Sequence, residues 1–187
     1  GSKNMISGRR LSIYQLVTPN IDGYASYSIA SVCKYAQKHN YGFYIQREKV
    51  EKDMHINWTK IAMLQKAAEA NEEFTLLIDA DTVLVNQSFE LDRWMNNLNT
   101  KKSILMTKDT PLLKRNRPNA GVILFKNKEG KKIVDYWMHA AKNEGSHLAD
   151  THPRNQRVYW NYVQPKYQDE QVLVPNAFAS KYHWFVP

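Results

Sequence analysis

A chain of 187 residues, 43% of them hydrophobic and 12% aromatic, can bury one substantial core, and we expect a single domain over residues 1–187. Its one cysteine excludes an internal disulfide framework and a multi-cysteine metal site, and no apolar run approaches the roughly 18 residues that cross a bilayer. The formal charge of +8 favours anionic partners such as nucleotides, nucleic acid or acidic membranes, but charge alone does not choose among them.

The chain begins with Gly1 and Ser2, which resemble a cloning remnant. We expect residues 1–5 to be such a remnant or a flexible lead to the domain, and the chain could be a piece of a larger protein.

The first half of the chain alternates strand and helix patterns. A β-rich run predicts a strand over residues 11–17, which breaks at Thr18 because Pro and Asn follow it. Asp22 can begin a helix that runs to about residue 39 and has Ile29, Cys33 and Ala36 on one face. The next elements are a strand over residues 41–46 and a helix over residues 58–70 with Ile61, Leu64 and Ala68 at helical spacing.

A continuously apolar run over residues 74–78 predicts a strand that is covered on both faces. It ends in Asp79-Ala80-Asp81, so the two carboxylates lie at the carboxyl end of a buried strand. We expect this acidic pair to be part of a site.

The second half continues the alternation, with two long segments that show no clear periodicity. We interpret residues 107–119 and 147–168 as loops over the site. The predicted elements are a short helix over residues 89–98, strands over residues 103–107 and 121–125, and a helix over residues 131–141 with Ile133, Val134, Trp137 and Met138 facing inward.

This order of elements predicts an α/β fold of Rossmann-like type, with a mostly parallel sheet and helices on both faces. Ligands of such sheets bind beyond the carboxyl ends of the strands. The acidic pair projects into that crevice.

The acidic pair has three interpretations. Paired carboxylates are hard oxygen ligands for Mg²⁺ or Mn²⁺, which in turn bind diphosphate oxygens. They could instead cap the following turn or meet a basic neighbour. The run Asp79-Ala80-Asp81-Thr82-Val83-Leu84 also matches the start of haloacid-dehalogenase-like phosphatases, in which Asp79 would be a nucleophile and Asp81 a general acid. The motif follows two βα units here, and the G-D-x-x-x-D pattern of those phosphatases is missing downstream.

Four segments follow one another across residues 58–173 and belong together. They are Trp58-Thr59-Lys60-Ile61, residues 77–83 around the acidic pair, residues 119–127 (N-A-G-V-I-L-F-K-N), and residues 169–173 (D-E-Q-V-L). In order and spacing they resemble GT-A glycosyltransferases, most closely the fungal Golgi galactosyl and mannosyltransferases, the plant xyloglucan xylosyltransferases and small chlorovirus-type enzymes. Each is a weak signal alone, but together they make coincidence improbable.

The resemblance implies a GT-A domain that moves a sugar from a nucleoside-diphosphate donor, by default a UDP-sugar, to a hydroxyl of a glycan or glycoprotein acceptor. It implies Mn²⁺ or Mg²⁺ on Asp79 and Asp81. His183 is a candidate third ligand, since an imidazole can bind Mn²⁺, and packing beside Trp184 is its alternative role. The family retains the anomeric configuration, although the sequence itself does not separate retention from inversion.

The resemblance also assigns roles around the donor. Thr18 and Tyr24 correspond to the turn that holds the nucleobase, and Lys60 could reach the phosphates. Ala80, Asn119 and Gly121 belong to the matching donor-binding segments.

Two further groups are assigned to the acceptor side and the reaction centre. Asp109, Arg115 and Arg117 lie in the loop before Asn119, where they could contact the acceptor or a phosphate. Asp169, Glu170 and Gln171 are the candidates for stabilising the reacting carbon, with the start of a short helix as their alternative role.

A basic nucleic-acid-binding module would also explain the positive charge, but the chain lacks a zinc pattern, a helix-turn-helix signature and a glycine-aromatic RNA motif. We therefore expect no nucleic acid partner. Compartment stays open between the cytoplasm, including that of a virus-infected cell, and a Golgi-luminal domain without its anchor, and the oligomeric state is equally open.

Overall fold

In the computed structural model, the described residues are 10–98, 100–109 and 117–174, with the backbone alone at residues 179–180 and 184–185. The strands are β1 (Leu11–Leu16), β2 (Gly42–Gln46), β3 (Phe74–Ile78), β4 (Val83–Leu84), β5 (Ile104–Lys108), β6 (Pro118–Lys126), β7 (Gln171–Val174), β8 (Ala179–Ser180) and β9 (Trp184–Phe185). Six of them form the central sheet, in the order β2-β1-β3-β6-β5-β7.

The sheet is parallel except at β6. β1 pairs in parallel with β2 and β3, and β7 pairs in parallel with β5, whereas β6 runs antiparallel to both β3 and β5. The predicted α/β fold with a mostly parallel sheet is confirmed, and the strand predicted at residues 121–125 lies within β6, the antiparallel member of the sheet. Antiparallel neighbours need no crossover helix between them, and β5 pairs with β6 in this way from Ile104 to Lys108.

Helices cover both faces, as the alternation predicts. They are α1 (Asp22–His39), α2 (Thr59–Ala67), α3 (Leu91–Asn96), α4 (Asn127–Lys142), α5 (Asn155–Val158) and α6 (Gln164–Tyr167). On one face α2, α4 and residues 155–163 pack against Leu77 and Ile123. On the other face α1 and α3 pack against Leu76 and Val122. Adjacent strand residues thus serve opposite cores.

The buried face of α1 differs from the predicted one. Ile29 and Cys33 are only partly buried, while Val32 and Tyr35 are fully buried. Polar Ser28 is also buried, because its hydroxyl accepts from the Gln15 amide at 2.8 Å and donates to a carbonyl after β3. An apolar periodicity could not reveal a helix face that is partly polar.

Residues 155–167 are helical, so the predicted loop over residues 147–168 was wrong. A π-helical turn, Tyr159–Val163, joins α5 to α6, and Val158 and Val163, five residues apart, are both buried. Pro165 lacks the N–H of a regular α-helix, which favours widening of the turn before it. The resulting apolar spacing does not match the α-helical pattern.

The carboxyl ends of β1, β3, β5 and β7 and the start of β6 share one edge of the sheet, which we term the carboxyl edge. A small second sheet, in the order β4-β9-β8, begins just after this edge. Across the described ranges, no helix combines the length and apolarity that a membrane span requires.

Asn127 ties the opposite edge together. It is 3% exposed, its amide nitrogen donates to the carbonyls of Ala67 (3.1 Å) and Glu72 (2.7 Å), and its oxygen accepts from Thr75 (2.6 Å). The side chain therefore links α2, β3 and the start of α4.

We predict that Asn127→Ala lowers the free energy of unfolding by about 3 kcal/mol, because it leaves several buried polar groups without partners. Asn71→Ala, at an exposed position, is the control and should change stability by less than about 0.5 kcal/mol. Urea unfolding followed by circular dichroism measures both. Equal effects of the two substitutions would contradict this role.

Candidate active site

Asp79 follows the last residue of β3 at the carboxyl edge. Its backbone N–H donates to the Gly121 carbonyl at 2.9 Å, which extends the pairing of β3 with β6. Its Oδ1 lies 2.7 Å from the Nζ of Lys60, and its side chain is 40% exposed. A basic neighbour thus binds the first acid, which nevertheless faces solvent.

Lys60 links three elements at this point. Its ammonium donates to Asp79, directly after β3, and to the Ala120 carbonyl on β6, each at 2.7 Å, while the residue itself belongs to α2. A lysine ammonium has three N–H donors, so one remains for a ligand. The side chain is only 12% exposed, which fixes the charge in place.

Gly121 allows β6 to approach the acid closely. A Cβ built at this position would lie 2.9 Å from the Oδ1 of Asn119 and 3.1 Å from the Oδ2 of Asp79. Asn119 in turn accepts from the Gly121 N–H at 2.7 Å and donates to Asp109 at 3.3 Å. The antiparallel strand thereby brings Asn119 and Gly121 to the first acid, and Asn119 links Asp109 to this group.

The turn after Asp79 closes through a hydrogen bond from the Thr82 N–H to the Asp79 carbonyl at 3.1 Å. Asp81 lies in this turn and is partly exposed. Ala80 points away and packs in the core with Val17 and Ala25, so its predicted contact with a ligand could use only the backbone.

A cavity of about 480 Å³ opens beside Asp79 and Lys60, and we term it the site cavity. Predicted residues Lys60, Asp79, Asp109 and Arg117 line it together with residues that the sequence did not point to. These additional residues are Asn57, His152, Pro153, Arg154, Asn155, Gln156, Arg157 and Trp160.

Gln156 is the main residue that sequence reasoning missed. It lies in the first turn of α5, and its Oε1 accepts from the Ala120 N–H at 2.9 Å. Ala120 also holds Lys60 through its carbonyl, so the amide and the ammonium share one anchor on β6. A prediction that a helix begins at Asn155 would have indicated Gln156, because this residue lies in the first turn of that helix.

Arginines from two elements face the same cavity. Arg117 lies over the ring of Trp160 at 4.5 Å, and the Trp160 indole donates to the Pro118 carbonyl at 2.7 Å. Arg157 donates through Nε to the His152 carbonyl at 2.9 Å. Arg154 adopts a positive φ of 55°, an uncommon backbone conformation that occurs at functional sites.

The wall of the site cavity also carries a polar buried side chain. Asn155 is 1% exposed, and its N–H and amide nitrogen donate to Asn57, both at 3.1 Å. Nearby, partial burial and the positive charge of Arg154 lower the pKa of His55. The imidazole therefore favours its neutral form.

Thr18 and Tyr24 lie at the same edge but follow β1. Thr18 donates to the Asn20 side chain, and Tyr24, in the first turn of α1, is 56% exposed. Neither is among the described lining residues of the site cavity. Their position leaves an exposed aromatic ring near the carboxyl end of β1.

Asp169, Glu170 and Gln171 lie at the opposite edge, so the structure does not bring them to Asp79. Gln171 pairs in register with Ile104 at the start of β5, which is level with Thr75 on β3. Thr75 is four residues before Asp79, or about 13 Å along the strand.

Glu170 and Gln171 bind neighbouring side chains of the fold. Burial would raise the pKa of Glu170, but hydrogen bonds from Lys132 and Ser103 lower it overall. Gln171 accepts from the buried Tyr159 hydroxyl at 2.8 Å. The structure does not bring this segment to Asp79, because β7 begins at the opposite edge of the sheet, and its role at the reacting carbon stays a prediction.

Other predictions fall outside the described residues, namely those for His183 and Arg115. Within the described ranges, no group of three His, Cys, Asp or Glu side chains could hold a metal ion. Two carboxylates one residue apart nevertheless fit a cation that is shared with substrate phosphates, because Mg²⁺ in such sites takes one or two carboxylates and keeps its other positions for phosphate and water.

Comparison with known proteins identifies the family. A family model described as the galactosyl transferase GMA12/MNN10 family matches residues 14–118, which is more than half of the chain. The sequence has no match among curated proteins at the significance required.

The fold is similar to that of solved glycosyltransferases. A glycosyltransferase involved in glycosylation of the major capsid of PBCV-1 has a TM-score of 0.74 and 18% identity, with 89% of this chain and 81% of that chain covered. The galactosyltransferase LgtC has a TM-score of 0.60 and 13% identity, with coverage of 92% and 79%. Mouse xyloside xylosyltransferase 1 has a TM-score of 0.57 and 10% identity, with coverage of 89% and 85%. At these identities the likeness shows the GT-A fold.

We predict that Gly121→Ala destabilises the protein by about 1–2 kcal/mol, since the new methyl group must displace Asn119 and Asp79. Gly23→Ala is the matched control, because nothing lies within 4 Å of its Cβ position and alanine favours the helix by up to about 1 kcal/mol. Urea unfolding of both variants checks the prediction. A neutral or stabilising effect at position 121 would contradict the close approach described above.

Proposed function

Because the chain belongs to the galactosyl transferase GMA12/MNN10 family and is a glycosyltransferase, we propose that it moves a sugar from a UDP-sugar to a glycan hydroxyl with a divalent metal ion. The observation that carries this proposal is the Asp79–Lys60 pair on the wall of the site cavity. Its position at the carboxyl edge is where α/β sheets bind ligands.

The diphosphate lies beside Lys60 and the acidic pair in this proposal. The remaining N–H of the Lys60 ammonium donates to a phosphate oxygen. The Asp79 carboxylate and the Ala120 carbonyl hold the ammonium in position. Lys60 therefore does not have to reorganise when the negative charge of the leaving group grows.

Asp79 and Asp81 would hold Mn²⁺ or Mg²⁺. Such a cation, when bound, supplies Lewis-acid stabilisation of the departing phosphate. Gly121 contributes by leaving the Oδ2 side of Asp79 unobstructed, since any side chain there would meet this oxygen. The nucleobase would lie toward Thr18 and Tyr24, where an exposed tyrosine can stack on uracil.

Gln156 takes the role that the sequence assigned to Gln171. The bond from the anomeric carbon to the β-phosphate oxygen breaks with its electron pair on the phosphate, and the acceptor oxygen forms the new bond. The acceptor proton passes to the phosphate or to solvent. Gln156 Oε1 is held by the Ala120 N–H and keeps a second lone pair, which can stabilise positive charge on the anomeric carbon.

We propose that the reaction retains the anomeric configuration of the sugar. The alternative is inversion, which needs a general base such as Asp109. Asp109 lines the site cavity outside the acidic pair, so in an inverting reaction it would act as general base on the acceptor hydroxyl. Retention instead requires the acceptor to approach the face that the phosphate leaves. The anomeric configuration of the product, read by proton NMR, separates the two cases.

The family membership argues against the two other functions that the sequence left open, a phosphatase and a nucleic-acid-binding module. A phosphatase would need Asp79 as a nucleophile, and the family match over residues 14–118 assigns the chain to glycosyltransferases instead. A nucleic-acid-binding module would leave the acidic pair at the carboxyl edge without a role.

We predict that UDP with Mn²⁺ raises the melting temperature more than either alone, and that Asp81→Ala abolishes this increase because the cation loses a ligand. Differential scanning fluorimetry over a panel of nucleoside diphosphates measures the effect. Asp169→Ala, an exposed acid at the opposite edge, is the control and should behave as the wild type.

Equal stabilisation by UDP with and without metal would contradict the proposed cation site. If Asp169→Ala alone abolished the increase in melting temperature, the reaction centre would lie at the segment before β7, as the sequence predicted.

We predict that Gln156→Ala lowers kcat about 100-fold with a smaller change in the KM for the donor, since its oxygen acts mainly in the transition state. Gln168→Ala, an exposed glutamine at the opposite edge, is the matched control. UDP release in the presence of acceptor measures both. A kcat within twofold of wild type for Gln156→Ala would exclude this role.

A further inference from the structure

The site cavity differs in charge from two other large cavities of the described chain. A cavity of about 690 Å³ beside the end of α4 has three lysines and three carboxylates in its wall. A cavity of about 730 Å³ at the opposite edge has the same balance. The site cavity has an excess of cations: Lys60, Arg117, Arg154 and Arg157 against Asp79 and Asp109.

The donor alone does not balance these charges. A divalent cation between Asp79 and Asp81 would leave that group neutral. The pair of negative charges on a nucleotide-sugar diphosphate would match two of the four cationic side chains, and Asp109 would match a third. One positive charge therefore remains in the cavity after the donor binds.

The arginines are also poorly neutralised by the protein. Within the described ranges, neither Arg117 nor Arg157 has a carboxylate within ion-pair distance. Arg154 lies 3.6 Å from Asp150, whose side chain is 91% exposed, and such a solvated pair is weak. Their charge is thus available to a ligand.

The protein holds these arginines in place through groups other than acids. Trp160 supports the guanidinium of Arg117, and the His152 carbonyl accepts from the Nε of Arg157. A guanidinium that is bound through Nε keeps its terminal N–H groups for an external partner. These planar donors match a carboxylate in two-point geometry, which a hydroxyl cannot reproduce.

We infer that one of the two sugars that meet in the site cavity carries an acid group, as a hexuronate does, and that Arg157 and Arg117 bind its carboxylate. This inference rests on the proposed function, because it assumes a sugar donor and a sugar acceptor in this cavity. The acid belongs either to the transferred sugar or to the acceptor unit beside it. Both sources offer the same carboxylate.

Isothermal titration calorimetry tests the inference with matched acidic and neutral probes. The donor arm compares UDP-galacturonic acid with UDP-galactose in the presence of Mn²⁺. The acceptor arm compares trigalacturonate with neutral galactotriose on protein saturated with UDP and Mn²⁺. We expect an affinity at least about 10-fold higher for the acidic probe in one arm, which then identifies the source.

Variants locate the effect. In Arg157→Gln the ratio of acidic to neutral affinity should fall toward one, whereas Arg157→Lys should retain part of it. Arg93→Gln on α3 removes the same charge from the opposite helical layer and should keep the full ratio. Arg117→Gln is a second variant in case Arg157→Gln does not fold, as judged by circular dichroism.

Equal binding of acidic and neutral probes in both arms would overturn the inference. So would a preference for acid that survives in Arg157→Gln and Arg117→Gln. If UDP with Mn²⁺ binds but no acidic probe does, acid recognition fails and the proposed function stands. If UDP does not bind either, both fail.

Discussion

The site depends on one interaction, the ammonium of Lys60 held between the Asp79 carboxylate and the Ala120 carbonyl. These contacts join α2, β3 and β6, so the geometry of the first acid depends on how all three pack. A largely buried cation beside a carboxylate is stable only because both are hydrogen-bonded. The same pair leaves the third N–H of Lys60 and the second oxygen of Asp79 without a role in this contact, and both residues line the site cavity.

The antiparallel strand β6 makes this arrangement possible. Its reversed direction places its first residues, rather than its last, beside the end of β3. Ala120 can then serve Lys60 through its carbonyl and Gln156 through its N–H. Since successive side chains on a strand point to opposite faces, Asn119 and Gly121 share the face toward Asp79. The strand order thus assembles the site from segments that are distant in the sequence.

The helical segment over residues 155–167 closes the site on its other side. Its first turn contributes Gln156 and Arg157, and buried Tyr159 and Trp137 anchor it, with ring centroids 4.7 Å apart. Burial raises the pKa of Tyr159, which keeps its hydroxyl protonated as a donor to Gln171. Gln171, which the sequence predicted at the reaction centre, therefore supports through Tyr159 the helical segment that carries Gln156. Because this helix also presents arginines, the same packing sets both the amide position and the charge of the cavity.

The sequence by itself determined the α/β fold, most strand and helix positions, and the place of Asp79 at the carboxyl end of a buried strand, because periodicity and an apolar run that ends in acids are local signals. It also indicated Lys60, Asn119 and Gly121 through their resemblance to a family pattern. Only the tertiary structure decided which glutamine faces the site, since strand direction and the register of β7 place Gln171 at one edge and Gln156 at the other. The π-helical turn hid the helix of Gln156 from an α-helical pattern, and the convergence of Arg117 and Arg157 depends on contacts between segments far apart in sequence. Periodicity reports which residues are buried within an element, but not how elements are arranged around a cavity.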